Sequence, residues 1–144
     1  MKAEFLDELE GVFSRDGFHL TLTKPLRAKL SNGDIIEVPK GFTTDFASVP
    51  RFFWRVLPPW GQYSKAAVVH DYLYANEKYS LPGGYTVMVT QKYADELFLE
   101  LMAVLGVSKA KRLAMYSGLR AFGFVAWNNH RKNDANRQKP KEID

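Results

Sequence analysis

The chain has 144 residues, 46% of them hydrophobic and 25% charged, a balance that suits one globular domain with a real core and excludes wholesale disorder. It contains no cysteine, so a disulfide framework and a thiolate metal site are both excluded. A formal charge of +4 is mildly basic and permits an anionic partner without demanding one.

Residues 3–13 read as a short N-terminal helix or arm of weak amphipathicity. The opening MKAEFLDELEGVF carries Glu4, Asp7, Glu8 and Glu10 where a secretion signal would be apolar, so none is expected. From Phe18 the pattern changes to strand-like alternation, with Phe18, Leu20 and Leu22 apolar. PLRAKL and IIEV flank Asn32-Gly33, a hairpin signal because a tight reversal needs positive backbone φ. Residues 42–62 lack a clean period and are rich in Phe, Trp and Pro; they read as a long aromatic loop with one helical turn near Pro50 to Val56. Phe42, Phe46, Phe53 and Trp54 are too apolar to stand in water together, so the loop is expected to pack on the helices.

The remainder is predicted helical. Residues 64–79 place Tyr63, Ala67, His70 and Tyr74 on one face, and Pro82-Gly83-Gly84 breaks the pattern. Thr90 is a candidate N-cap for a helix with Ala94, Leu97, Phe98, Leu101, Met102 and Leu105 as its stripe, and Gly106 a candidate stop. Ser108 caps a third helix over about 109–130. The expected architecture is α+β: a small antiparallel β unit packed on three helices, residues 1–131 forming a single domain and 132–144 a polar basic tail. No apolar run approaches the roughly 18 residues of a membrane span.

Candidate chemistry centres on His70-Asp71 in mid-helix. His70 suits a general base or a metal ligand, while Asp71 points about 100° away around the axis and must serve another partner. A core histidine beside a solvated carboxylate is the bland alternative. Asp95 lies at the edge of the next helix's apolar stripe, where a carboxylate needs a partner. It either orients His70 or forms an ion pair with Arg120 or Lys65. Asp45, in Thr43-Thr44-Asp45-Phe46-Ala47-Ser48, either makes turn hydrogen bonds with its neighbours or joins Asp71 in a cation site. Arg51 and Arg55 beside Phe52, Phe53 and Trp54 suit an anionic lipid headgroup, or are solvated arginines over an aromatic core. The basic residues form no dense run, so nucleic acid is not the expected partner.

AAVVHDYLYAN followed by YADELFLELM resembles the catalytic helix pair of the phospholipase A2 superfamily, closest to its bacterial and parvovirus-capsid branches. The resemblance implies antiparallel helices with His70 as the base that activates water, Asp71 binding calcium, Tyr74 supporting the site and Asp95 orienting His70. That family's calcium loop is glycine-rich, whereas this chain has Pro58-Pro59-Trp60-Gly61-Gln62-Tyr63 there, so Asp45 or loop carbonyls would have to substitute. Trp60, Tyr63, Trp54 and Arg51 are the candidate substrate contacts. The segments TTDFASVPRFFW, KAAVVHDYLY and ADELF also resemble a family of small uncharacterised phage and prophage proteins, which implies a place in a phage virion or in the host cytoplasm. The expected function is a phage-encoded, metal-dependent hydrolase of esters. The alternative is a virion or tail protein without catalysis. An HD-type phosphohydrolase would need further histidine ligands, and His19 and His130 lie in an early strand and near the tail.

Overall fold

The computed structural model describes residues 2–46, 48–55 and 61–138, with side chains through residue 134. The fold is α+β. Six short strands open the chain: β1 (Glu4–Phe5), β2 (Gly11–Phe13), β3 (Leu20–Leu22), β4 (Leu26–Lys29), β5 (Ile35–Val38) and β6 (Thr43–Thr44). They form two antiparallel three-stranded sheets, ordered β1-β4-β5 and β2-β3-β6. In the β4–β5 hairpin Leu26 opposes Val38 and Ala28 opposes Ile36, and all four are buried on one face. The turn is made where Asn32-Gly33 predicts it: Gly33 has φ 93° and the Leu30 N–H donates to the Asp34 carbonyl over 2.8 Å.

The N-terminal segment is extended instead of helical. Ala3 is buried and Phe5 packs on the core, a period of two. Asp7 fixes the register by accepting from both the Arg27 backbone N–H (2.9 Å) and its guanidinium (2.8 and 3.0 Å). A partner twenty residues away decides this conformation, so local pattern did not show it.

After a 3-10 turn at Arg51–Arg55, helix α1 (Ser64–Asn76) runs through the middle of the molecule. It is buried on almost every side, not on one face: Ala66 to Asp71, Leu73 and Tyr74 are all inaccessible. The reason is that β5, β6, α2 and α4 approach it from different directions. The helix stops at Asn76, earlier than its pattern predicts, because Glu77 takes a left-handed conformation (φ 59°). Its N–H still caps the Leu73 carbonyl, and the chain enters a small hairpin, β7 (Lys78–Ser80) with β8 (Thr86–Met88).

Helix α2 (Gln91–Val104) starts as expected, with the Thr90 hydroxyl accepting the Tyr93 N–H. It ends in a Schellman arrangement in which Gly106 (φ 80°) and Val107 donate to Ala103 and Met102. Ser108 caps α3 (Lys109–Phe122), and α4 (Phe124–Gln138) follows. The single third helix of the sequence reading is therefore two helices meeting at Gly123, and helical backbone extends into the stretch expected as a tail. Gly123 sits at the break because of space: a Cβ there would lie 2.6 Å from the Tyr74 hydroxyl and 2.5 Å from the Leu119 carbonyl. Arg131 on α4 donates to the terminal carbonyls of α1 at Tyr74 and Ala75 and pairs with Glu77, tying the last helix to the first. The aromatic loop packs down: Phe46 is buried, and Phe42, Phe53 and Trp54 are half-buried against the core. No helix among the described residues is long and apolar enough to cross a membrane.

Candidate functional site

Antiparallel packing of α1 on α2 brings His70 to Asp95. His70 Nε2 lies 2.7 Å from Asp95 Oδ1, and both side chains are fully buried. The same oxygen accepts the Tyr74 hydroxyl at 2.6 Å, one turn along α1. Burial, followed by the Asp95 charge, pushes the Tyr74 phenol up, so it remains a donor. Asp95 Oδ2 accepts from Arg120 Nη1 on α3 at 2.7 Å. The two partners proposed for Asp95 from the sequence, the base and the Arg120 ion pair, are both present, while Lys65 pairs with Glu8.

This network fixes the imidazole. A carboxylate oxygen only accepts, so Nε2 carries the hydrogen. In the neutral ring Nδ1 is then an acceptor, and Ser48 Oγ stands 3.1 Å from it. Phe98 and Tyr74 hold the ring from two sides, with centroids 4.6 and 4.3 Å away.

Asp71 faces the other way, as helical geometry requires. Its Oδ2 accepts the Thr44 hydroxyl at 2.6 Å, and Thr44 Oγ1 in turn accepts the Phe46 N–H at 3.0 Å. Asp71 Oδ1 is buried and makes no hydrogen bond among the described residues. Burial holds the Asp71 carboxyl above its ordinary range, with Asp45 adding to the shift and the Thr44 and Ser48 hydroxyls opposing it.

A cavity of about 470 Å³ adjoins this network. Asp45 and Ser48 line it on one side and Asn129, His130 and Asn133 of α4 on the other; Pro50, Phe52, Phe122 and Val125 supply apolar wall. His70 is not among the lining residues, and among the described residues Ser48 links it to the cavity.

Residues 20–119 match the family described as a protein of unknown function, DUF1353. The chain belongs to this family. The DUF1353 segment runs from β3 through most of α3 and contains Thr44, Ser48, His70, Asp71, Tyr74 and Asp95. Arg120 and the α4 wall of the cavity lie just beyond it. No curated protein and no solved structure matches the chain.

Of the residues predicted for the site, His70, Asp95 and Tyr74 meet in one network, and Asp71 and Asp45 are close enough to interact electrostatically. Three of the four predicted substrate contacts, Tyr63, Trp54 and Arg51, lie elsewhere. Tyr63 is a core residue packed edge-on against Phe98. Trp54 donates its indole N–H to the Val49 carbonyl, and Arg51 stacks over Phe18 and Trp54. None of these three lines the cavity. Trp60 falls outside the described residues. Sequence reasoning gave no site role to Ser48, Thr44 or His130. Ser48 was visible only as a turn former, because an irregular loop offers no periodicity from which to read its direction.

Proposed function

We propose that this DUF1353 chain is a hydrolase in which His70 is the general base and Asp95 holds it in the reactive tautomer. The observation that carries this reading is the 2.7 Å pairing of His70 Nε2 with Asp95, which leaves Nδ1 directed toward the cavity wall. A base buried at a fixed angle and oriented by a carboxylate is the arrangement that proton abstraction needs. The half-apolar cavity suits an ester with a hydrophobic acyl group. Tyr74 and Arg120 position Asp95 and do not touch substrate.

Asp71 and Asp45 are the residues that would hold a calcium ion. The fit rests on Asp71 Oδ1, a buried carboxyl oxygen that makes no hydrogen bond among the described residues. Bound there, the ion would stabilise negative charge developing on a substrate oxygen. Among the described residues no group of three or more His, Asp or Glu gathers around such an ion, so backbone carbonyls or substrate would complete its shell. A second reading is a phage virion or tail protein that uses the network only as a clamp. It is favoured by the way Asp95 joins α1, α2 and α3 through His70, Tyr74 and Arg120.

The test is hydrolysis of p-nitrophenyl esters and of phospholipid vesicles by the purified chain, with and without calcium. The expected result is turnover that falls at least about 100-fold in His70→Gln, the scale of general-base catalysis. A folded parent that hydrolyses neither substrate class, with or without calcium, leaves the clamp reading in possession.

A further inference from the structure

We infer that Ser48 is the nucleophile of this site and that hydrolysis passes through an acyl-Ser48 intermediate. The inference rests on the hydrolase reading above and goes further, because it specifies what His70 deprotonates. Three observations carry it. First, the chain Ser48 Oγ, His70 Nδ1, His70 Nε2 and Asp95 Oδ1 is continuous, with links of 3.1 and 2.7 Å. That is the nucleophile, base and orienting acid of an activated-serine site, recognised by geometry and not by order in the chain. Second, the position next to Nδ1 where a base-activated water would stand is taken by the Ser48 hydroxyl, and Ser48 is the member of this trio that lines the cavity. Third, the turn that carries Ser48 begins in a strained residue. Phe46 has φ 57°, an outlier for a bulky side chain. It is held there by its N–H bond to Thr44 Oγ1 (3.0 Å) and by its carbonyl accepting the Val49 N–H (3.1 Å). A fold that maintains such a turn aims the serine at the histidine.

The step balances as follows. The Ser48 Oγ–H proton passes to His70 Nδ1 while Oγ bonds to the ester carbonyl carbon. The tetrahedral adduct collapses by breaking the bond to the alcohol oxygen, which takes the proton from Nδ1. Water then gives a proton to Nδ1 and attacks the acyl carbon. The acid leaves as the bond to Oγ breaks, and Oγ recovers its proton. Asp95 keeps its bonds to Nε2 and to Arg120 throughout.

The test uses the full chain, a fluorophosphonate probe and p-nitrophenyl acetate. Expected are one phosphonyl group on Ser48, located by peptide mass, and a pre-steady-state burst of nitrophenol. Ester turnover should fall at least about 100-fold in Ser48→Ala. Ser48→Cys guards against misfolding: the chain has no native cysteine, so the new thiol is the only one, and iodoacetamide should alkylate it faster than free cysteine with a rate that drops in the His70→Gln background. If folded Ser48→Ala retains turnover within about threefold of the parent, His70 activates water directly; the nucleophile assignment is then overturned and the hydrolase reading stands. If the parent neither hydrolyses esters nor takes the probe, both fall together.

Discussion

Replacing Asp95 with Asn tests the network with almost no change of volume. The carboxylate is completely buried and accepts three hydrogen bonds, two on Oδ1 and one on Oδ2. An amide has one oxygen. Its better placement keeps that oxygen on His70 and Tyr74 and turns the NH2 toward Arg120, so one charge-assisted bond is lost and two donors face each other. Arg120 is 36% exposed and can withdraw to water, which limits the loss to about 1.5–3 kcal/mol. The reverse placement breaks two bonds and is worse. For a chain of this length each kcal/mol moves the melting temperature by about 3–5 °C, so Asp95→Asn should melt roughly 5–15 °C below the parent. Urea and thermal melts followed by circular dichroism measure both quantities. Combining Asp95→Asn with Arg120→Ala should cost less than the sum of the two, because the facing donor is gone. A single variant within about 0.5 kcal/mol of the parent would mean that Asp95 does not hold three donors in solution, and the site geometry would fall with it.

Gly123→Ala should destabilise by about 1–3 kcal/mol despite the better helix propensity of alanine, because its Cβ would meet the Tyr74 hydroxyl at 2.6 Å; a neutral or raised melting temperature refutes the close approach. Asp71→Asn has a signed pH dependence. The folded-state pKa lies above the unfolded 3.8, so the folded chain holds a proton that the unfolded chain releases; the group's contribution to stability is complete below 3.8 and lost as pH rises through the folded value. The variant should therefore gain on the parent as pH rises above about 4, read from paired melts across the acid-to-neutral range, and a constant difference refutes the assignment. Calorimetric titration should show millimolar-range calcium binding in the parent and none in Asp71→Asn, and silence in the parent removes calcium from the mechanism.

What the sequence made legible follows the range of the forces involved. The hairpin at Asn32-Gly33 and the caps at Thr90 and Ser108 depend on a few adjacent residues and stand where their patterns place them. The His70–Asp95 pairing was also readable, because a short connection forces the two helices antiparallel and the apolar stripe of α2 carries Asp95 at its edge. The N-terminal strands were not, since Asp7 finds its conformation on Arg27. Nor was the end of α1, where Glu77 is held left-handed between a helix and the Val89 N–H of a hairpin. That Tyr63, Trp54 and Arg51 stand away from the cavity was not legible for a related reason. Aromatic residues near a motif are as often core as binding surface, and Tyr63 fills the space beside Phe98. The cavity's far wall comes from α4, whose polar composition gave no sign that it would fold back over α1.

The attachment of α4 to the end of α1 sets the order in which a newly made chain can acquire its site. Synthesis delivers Ser48, His70 and Asp95 first, then Arg120, and only afterwards the Phe122–Asn133 stretch that closes the cavity and the Arg131 guanidinium that seals the α1 carbonyls. A chain interrupted before α4 has the serine and the imidazole without the α4 wall of the cavity, and Tyr74 lacks the Trp127 ring that packs edge-on against it at 5.2 Å. If the chain is the hydrolase proposed above, maturation is written into the chain order: chemistry would wait for α4, and products cut before it would be inert.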